Sequence, residues 1–419
     1  MNSVYIIGSY SSAFGRFPDK SFRDLTREAV MGVLKDAGLD SGECIQSVWF
    51  GNVLMDYWGQ HSTRGQFALI PLLQAGVLAQ RVPILNVENG CATGSVALQG
   101  AIKDIRAGEA DFALAVGVEK TFRPNATPEE TFAMFRAGEN AFNPDETLDE
   151  YRELARLANI SLQFGPNRTM FMDTYAVQAA YHMQRWGTTQ RQIAAAASQA
   201  HNHAVMNPLA QYRFPMTVDD VLADREVSFP LTRAMCAPIG DGGAAALVCS
   251  EKGLSMLPPA VRERAVAVAA SVLRSGIYRK PDEPSLAREA GDKAYVLAGV
   301  APGEVDVAEV HDATSFGEIY NTEMMRFCEI GQGGPFVESG ATALGGQIPI
   351  NTSGGLVSKG HPIAASGLSM INEIVVQLRH EAGERQVIDA HIGLIENGGG
   401  IMGLEEAACA VTILKRTHH

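Results

Sequence analysis

Residues 86–95, NVENGCATGS, decide the expected fold of this chain. An apolar run at 82–87 leads into them and predicts a buried strand, and residues 95–107 behind them are typical of a helix. A tight turn between strand and helix holds Cys91 in the open above the sheet. The positive end of the helix favours a thiolate, so Cys91 is a candidate nucleophile. The alternative is a small cysteine that only packs.

Composition and charge exclude several classes of protein. The chain has 419 residues, 46% hydrophobic and 19% charged, which indicates two or three globular domains. A net charge of −13 argues against nucleic acid or an anionic membrane as the main partner. No apolar run is long enough to span a bilayer. Six scattered cysteines without metal-ligand spacing predict no metal site and a reduced, cytoplasmic setting.

Strands and helices alternate along most of the chain, which predicts an α/β layered fold with a largely parallel sheet. The two halves echo each other: NGCATGSVALQGAIKDI resembles GGLVSKGHPIAASGLSMINEI, and DGGAAALVCS resembles EEAACAVTIL. We therefore expect a duplicated unit with an active site where the halves meet. The N-terminal half is expected over 1–119 and 175–250, a linker over 251–264, and the C-terminal half over 265–419.

The alternation stops between residues 120 and 174, where charges cluster and aromatic residues and methionines scatter. This segment is expected to be an insertion that packs over another part of the molecule. A long insertion in a compact domain is often a lid or binding loop. An oligomer contact is the alternative.

Two histidines lie where they can reach a cleft. His311 follows an apolar strand at 305–310, and His361 lies in the glycine-rich loop SGGLVSKGHP. The alternative for the first is a surface cap, in which Asp312 begins the next helix. A neutral imidazole can take a proton from a thiol, and an imidazolium can stabilise an oxyanion. Together with Cys91, the two histidines are suited to acyl transfer through a thioester.

Five motifs taken together resemble the thiolase superfamily, within the thiolase-like branch related to the sterol-carrier-protein thiolases. They are VYIIGSYSSAFGRF, NGCATGSVALQGA, DGGAAALV, HDATSFGEI and NTSGGLVSKGHPIAASG, and they cover nearly the whole chain. The resemblance implies a duplicated five-layer α/β/α/β/α fold and a homodimer. It also implies coenzyme A thioesters as substrates and no covalently bound cofactor. Segment 120–174 would be the loop domain that covers coenzyme A and shapes the acyl pocket, and Ser353 and Gly354 would contact coenzyme A.

The same resemblance implies roles for individual residues. Cys91 would carry the acyl group, and His361 would activate it and help form an oxyanion hole. His311 would line that hole, in a position where the aldolase branch is expected to have tyrosine. Backbone N–H groups at Cys91 and near Gly399 would form a second oxyanion hole.

The sequence departs from the family at the second catalytic cysteine. Ordinary thiolases carry it in a late Cys-x-Gly loop, whose counterpart here reads IENGGGIMG, and the sterol-carrier branch carries it where this chain has Ala313. Glu396 or His311 is therefore expected to serve as the second acid or base. The alternative is that Glu396 holds a loop by binding backbone amides. Cys328 and Cys409 are expected to be packed on a helix and a strand.

The expected function is a thiolase-type acyltransferase that cleaves or forms a C–C bond of a 3-oxoacyl-CoA. The aromatic and methionine-rich insertion suggests a bulky or aromatic acyl group. One alternative is a C-acyltransferase that transfers an acetyl or other acyl group to a phenolic or polyketide-like acceptor. Another is a thiolase-like subunit that is active only with a small OB-fold, zinc-ribbon partner.

Overall fold

The computed structural model describes residues 2–136, 140–162, 169–281 and 283–417. Parts of the expected insertion (137–139 and 163–168) and of the expected halves (1, 282 and 418–419) lie outside the described residues. The strands are β1 Val4–Ser11, β2 Ser47–Gly51, β3 Ile84–Val87, β4 Phe112–Glu119, β5 Glu226–Ser228, β6 Leu231–Thr232, β7 Gly242–Ser250, β8 Val266–Ser275, β9 Val307–Glu309, β10 Ile392–Gly399 and β11 Ala408–Arg416.

The large sheet shows the duplication directly. Its strand order is β3-β2-β4-β7-β1-β8-β11-β10-β9, so the C-terminal half mirrors the N-terminal half about the β1–β8 pair. Parallel β2–β4 corresponds to parallel β10–β9, and antiparallel β4–β7 corresponds to antiparallel β10–β11. The expected duplicated α/β fold is confirmed. The expectation of a largely parallel sheet is wrong, because hairpin-type joins such as β10 to β11 require antiparallel strands.

Several helices begin at a residue whose side chain caps the first turn, among them α1 (Phe22–Asp36), α4 (Pro128–Phe135) and α7 (Gln190–Val205). For α1, the Ser21 hydroxyl accepts the N–H of Asp24 while the Asp24 carboxylate accepts the N–H of Ser21. The helices are α1 Phe22–Asp36, α2 Arg64–Gln74, α3 Thr93–Ala107, α4 Pro128–Phe135, α5 Pro144–Leu157, α6 Met170–Trp186, α7 Gln190–Val205, α8 Val218–Ala223, α9 Glu251–Ser255, α10 Pro259–Glu263, α11 Leu286–Ala298, α12 Ser315–Met324, α13 Gly333–Glu338 and α14 Ile363–Leu378.

Helices α3 and α14 form the central layer. Nearly every residue of α14 is buried, and so is the whole N-terminal part of α3. A helix that is covered on all sides belongs in the middle of a layered fold, not on its surface. Both helices pack on strands of the folded sheet, while α1 and α2 cover one half of it and α11 covers the other. The result is the expected five layers.

Small residues allow the two central helices to approach closely. A Cβ on Gly94 would lie 2.7 Å from the Ala364 carbonyl oxygen, and one on Gly367 would lie 2.5 Å from Ser95 Oγ. Real Cβ atoms do not approach other atoms so closely, so a larger residue at either position would push the helices apart. Both helices begin at their point of contact, which brings the loops before them together.

Three local expectations need correction. Segment 251–264 carries the short helices α9 and α10, because Ser250 and Pro259 each start a turn of helix. The sequence predicts a helix over 316–329, but helix α12 ends at Met324, and Arg326 has a φ of 62°. Cys328 therefore lies in a bend after the helix and is partly exposed, whereas Cys409 is buried in β11 as expected. Across the residues described, no helix combines the length and apolarity needed to cross a bilayer.

Candidate active site

Cys91 lies in the turn of residues 88–92, between β3 and α3. Gly90 adopts a φ of +53°, which a side chain would strain. The Thr93 hydroxyl donates to the Gly90 carbonyl at 2.6 Å and accepts the Asn89 N–H at 2.9 Å. These two hydrogen bonds hold the turn, so that the partly exposed Cys91 side chain stays at the start of the central helix.

His361 faces Cys91 from the loop before α14. Its Nε2 lies 3.1 Å from Cys91 Sγ, and its Nδ1 lies 2.7 Å from the Ser366 hydroxyl oxygen. The Ser366 hydroxyl donates a hydrogen bond to the Pro362 carbonyl oxygen at 3.0 Å, so it accepts a hydrogen bond from the N–H at His361 Nδ1. The neutral imidazole therefore carries its proton on Nδ1 and presents the Nε2 lone pair to the thiol.

His311 completes a compact trio. One ring nitrogen of His311, one of His361 and the sulfur of Cys91 all lie within 4.8 Å of one another. The His311 side chain is buried, and within the described parts of the chain neither ring nitrogen has a hydrogen-bond partner. Burial lowers the pKa of His311 to about 4, so its ring is neutral and one nitrogen is an unused donor. A buried polar group without a partner indicates a place where a ligand atom binds.

Asp312 joins the loops of the two histidines instead of capping a helix. Its carboxylate accepts the N–H of Leu356 at 2.6 Å, in the turn Gly355–Lys359 that precedes His361. Helix α12 is instead preceded by Thr314 as its N-cap residue. The alternative of a surface cap at His311–Asp312 is therefore wrong, since this pair is buried and ties one loop to the other.

The resting pair of Cys91 and His361 is neutral. Desolvation raises the pKa of the Cys91 thiol to about 12, the Glu406 charge adds to that rise, and a hydrogen bond from the Gly400 N–H opposes it. Desolvation also holds the pKa of His361 well below its usual range, with nearby His311 acting in the same direction. The helix terminus alone thus does not produce the expected thiolate. The thiol proton can instead move to Nε2 when an electrophile arrives.

The glycine run at the end of β10 lies against the Cys91 turn. A Cβ on Gly399 would lie 2.2 Å from the Ala92 nitrogen and 2.3 Å from the Asn89 carbonyl oxygen. Gly399 therefore allows two backbones to touch, and the neighbouring Gly400 N–H hydrogen-bonds to the Cys91 sulfur. The expected backbone donors do converge here, with Gly400 rather than Gly399 as the one that reaches the sulfur.

Glu396 is not part of the trio. One of its carboxylate oxygens accepts the His311 N–H at 2.9 Å, and the other accepts the Cys409 thiol at 3.3 Å. Its side chain is fully buried, and burial raises its pKa to about 8. These contacts fit the alternative in which Glu396 holds the His311 loop in place.

Ser353 and Gly354 are not at the surface. The buried Ser353 hydroxyl donates to Glu309 at 2.7 Å, and its N–H donates to the same carboxylate at 3.1 Å. Gly354 has a φ of +103° and lies against the backbone and side chain of Ala204. The geometry gives neither residue a free atom for coenzyme A, so we do not propose them as contacts.

The insertion covers the nucleophile. Met134 and Phe135 of α4 pack in one apolar cluster with Leu54, Ile363 and Cys91. The methionine and aromatic content of this segment predicts such packing, but nothing in the sequence shows that the segment packs against Cys91. Ser366 was also missed, and its only sequence signal is its place one helical turn beyond the His361–Pro362 pair.

The arrangement is suited to attack on a carbonyl carbon. The Nε2 lone pair can accept the Cys91 proton, and the unpaired His311 ring can donate to the carbonyl oxygen. A thiol and two imidazoles at this spacing are also a set of ligands that zinc accepts.

Comparisons with known proteins assign this architecture to a family. The family model "Thiolase, N-terminal domain" matches residues 4–228, and "Thiolase C-terminal domain-like" matches residues 277–416. The "Acetyl-CoA acetyltransferase" of Methanothermobacter thermautotrophicus is 33% identical over 96% of this chain and 98% of its own length. Human "Sterol carrier protein 2" is 32% identical over 100% of this chain and 74% of its own length.

Another relative and two solved structures extend the comparison. "Benzoylsuccinyl-CoA thiolase subunit BbsB" of Thauera aromatica is 29% identical over 92% of this chain and 91% of its own length. The structure titled "Ltp2-ChsH2(DUF35) aldolase" has a TM-score of 0.77 at 21% identity, covering 99% of this chain and 97% of the other. Human mitochondrial 3-ketoacyl-CoA thiolase has a TM-score of 0.69 at 16% identity, covering 100% and 99%. Both structures share the fold.

Proposed function

Since this chain is an acyltransferase of the thiolase family, we propose that it forms an acyl thioester on Cys91 and cleaves or forms the C–C bond of a 3-oxoacyl-CoA. The observation that carries the proposal is the 3.1 Å approach of His361 Nε2 to Cys91 Sγ, with Nδ1 fixed as the protonated nitrogen by Ser366.

The first step is attack of Cys91 on the 3-oxo carbon. His361 takes the thiol proton as the sulfur bonds to that carbon, so that a thiolate is not needed beforehand. The Cα–Cβ bond then breaks, and the acyl group stays on Cys91 while its partner leaves as the enolate of an acyl-CoA. In the condensing direction the same steps run in reverse.

Two groups of donors support the oxygens on which charge develops. The His311 ring has a buried nitrogen with no described partner, and it lies beside both Cys91 and His361. The N–H groups of Cys91 and Gly400 lie at the sulfur, at the start of a central helix. Preorganised donors in a site that excludes water typically contribute several kcal/mol to transition-state stabilisation, about 3 kcal/mol for one donor.

We propose a bulky or aromatic acyl group for the substrate. Cys91 packs in one apolar cluster with Leu54, Met134, Phe135 and Ile363. Methionine adapts to irregular apolar shapes, and aromatic walls favour aromatic ligands. The relative from Thauera aromatica is named for benzoylsuccinyl-CoA, an acyl-CoA with an aromatic ring, which supports the same class.

We also propose a homodimer and a small partner subunit. Strand β3 is at the edge of the sheet, Leu85 on it is exposed, and Phe67 on the neighbouring helix α2 is 46% exposed. An open strand edge with apolar neighbours favours pairing with a second copy. A partner of OB-fold and zinc-ribbon type is supported by the word "subunit" in one relative's name and by the DUF35 protein in one neighbour's title. The cytoplasmic location remains a prediction.

Trapping the acyl-enzyme tests the proposal. We expect incubation with acetyl-CoA and with an aromatic acyl-CoA to add the mass of one acyl group, on the peptide that contains Cys91. The Cys91→Ala variant should show no adduct, because no other cysteine has a histidine nitrogen at its sulfur among the described residues. Absence of an adduct with every acyl-CoA, or an equal adduct on the variant, contradicts the proposal. An adduct that free coenzyme A cannot discharge would favour the C-acyltransferase or the need for a partner.

A further inference from the structure

Two adjacent carboxylates, Glu405 and Glu406, lie in the loop between β10 and β11 but have different surroundings. Glu405 accepts the N–H groups of Ile277 and Leu286, each at 2.9 Å, and pairs with Arg279 at 3.1 Å. It therefore holds neighbouring segments together. Within the described part of the chain, no side chain donates a hydrogen bond to Glu406, which interacts with its own backbone N–H. The Glu406 carboxyl group is thus not occupied by a structural role.

Glu406 reaches back over the glycine run beside Cys91. A Cβ on Gly398 would lie 2.7 Å from Glu406 Cγ and 2.9 Å from its Oε1, so Gly398 leaves the room that this side chain fills. Two residues further on, the Gly400 N–H hydrogen-bonds to the Cys91 sulfur. The backbone of residues 398–400 therefore contacts the Glu406 carboxyl group at one end and the Cys91 sulfur at the other.

The charge of Glu406 also acts on other groups at the site. After desolvation, the Glu406 charge is the strongest influence that raises the pKa of Cys91. The pKa of Tyr175 is raised by burial first, then by the charges of Glu406 and Cys91, so the phenol lies near both groups. Burial raises the pKa of Glu406 itself, which brings its protonated form closer to neutral pH.

On the basis of the proposed function, we propose that Glu406 is the catalytic acid and base that exchanges a proton with the α-carbon of the acyl-CoA. The chain lacks the cysteine expected for this task at both usual positions, and Glu396 is occupied by the His311 loop. Glu406 is a carboxyl group that packs on the glycine run in contact with Cys91, and it has no side-chain donor among the described residues.

The proton balance closes with this assignment. In cleavage, the electron pair of the broken Cα–Cβ bond stays on the α-carbon, and the Glu406 carboxylic acid protonates it to release an acyl-CoA. The resulting carboxylate then takes the thiol proton of the incoming coenzyme A, whose sulfur attacks the acyl thioester. The acyl group leaves on coenzyme A, and Cys91 recovers its proton from the His361 imidazolium. Condensation follows the reverse path, with the Glu406 carboxylate removing the α-proton.

The test separates the two half-reactions in the Glu406→Gln variant. Acylation of Cys91 is followed by intact mass with acetyl-CoA and an aromatic acyl-CoA. Proton exchange is followed as deuterium uptake from D2O into the methyl group of acetyl-CoA. We expect acylation within about 3-fold of wild type and exchange reduced by at least about 100-fold, the usual contribution of a general acid or base. Glu406→Asp should recover part of the exchange. Glu263→Gln, at an exposed carboxylate far from Cys91 along the chain, is the matched control.

The other outcomes contradict either the assignment of Glu406 or the proposed function. Exchange within about 3-fold of wild type in Glu406→Gln overturns the assignment of Glu406. Equal loss of acylation and exchange overturns it too, because the residue would then support Cys91 or the fold. Wild-type protein that is acylated but exchanges no α-proton also overturns it. Wild-type protein that is never acylated contradicts the proposed function itself, which is a distinguishable failure.

Discussion

At the scale of single residues, hydrogen bonds to one imidazole decide the state of the nucleophile. Ser366 donates to a carbonyl and so must accept from His361 Nδ1, which leaves Nε2 as a base toward Cys91. Desolvation keeps both partners neutral, since it penalises thiolate and imidazolium alike. The resting site therefore holds a neutral thiol beside a neutral imidazole base, and not a preformed thiolate–imidazolium ion pair.

This neutral pair predicts the pH dependence of alkylation at Cys91. The thiolate is the reactive form, and burial raises the pKa of Cys91 to about 12, so the rate of reaction with iodoacetamide should keep rising from about pH 6 to about pH 10. Peptide mass spectrometry measures the rate, with the exposed Cys44 as an internal reference. A plateau already reached at or below about pH 7 would instead show a stable thiolate–imidazolium pair.

At the scale of elements, the site is built where the two central helices begin. Cys91 lies two residues before α3, and His361 lies two residues before α14. The close approach of these helices at Gly94 and Gly367 brings the two loops together, and the end of β10 closes the site from the side. The positions of Cys91 and His361 thus depend on close backbone contacts between the two central helices and with the end of β10.

Substitution of Gly399 should disable the site while the fold persists. A Cβ there would lie 2.2 Å from the Ala92 nitrogen, so Gly399→Ala must move the Cys91 turn or the end of β10. Because a displacement of about 1 Å can cost about 100-fold in rate, we expect that loss in the acylation of Cys91. Far-ultraviolet circular dichroism should stay unchanged. Gly303→Ala, where a Cβ meets nothing within 4 Å, is the control and should acylate normally. Normal acylation of Gly399→Ala would refute the close-contact argument.

At the scale of the whole molecule, Asp36 at the end of α1 joins the two halves. It pairs with Arg264, which follows α10, and with Arg379, which follows α14, each at 2.8 Å. Burial alone would raise the pKa of Asp36, but Arg379, the Ser9 N–H and Arg264 together hold it below its usual range. The Asp36 carboxylate thus links outer helix α1 to the connection between the halves and to central helix α14.

Removal of this charge should destabilise the protein in a pH-dependent way. Asp36→Asn leaves the buried Arg379 without its ion pair, which costs about 3 kcal/mol in comparable cases. Because the folded-state pKa of Asp36 is lowered, its contribution is complete above the unfolded-state pKa and is lost as pH falls through the folded-state pKa. The difference in Tm between wild type and variant should therefore be large near neutral pH and shrink below about pH 4. A constant difference across that range would contradict the assignment. Asp19→Asn, at an exposed aspartate, is the control.

Much of the fold was predictable because its signals are local. The sequence predicts helices over 190–205 and 363–378, which are the bounds of α7 and α14. Thr189 caps α7, and Pro362 precedes α14, so both starts are marked within a few residues of the helix. Strand direction was not predictable in the same way, because β7 pairs with β1 and β4, and β11 with β8, across long stretches of chain. Within the site, Cys91 and His361 were identifiable from loops rich in glycine and His311 from the end of an apolar strand, but Glu406 carried no motif.

The sequence by itself determined the duplicated layers, the two central helices and the loops that present a thiol and two imidazoles, because glycine positions and apolar patterns act on nearby backbone. Only the tertiary structure decided which groups meet. Cys91 and His361 are 270 residues apart, Ser353 is turned inward to Glu309, and Glu396 is bound by the His311 loop. Hydrogen-bond partners and desolvation come from distant segments packed together, so proton positions and free carboxylates appear only once the chain is folded.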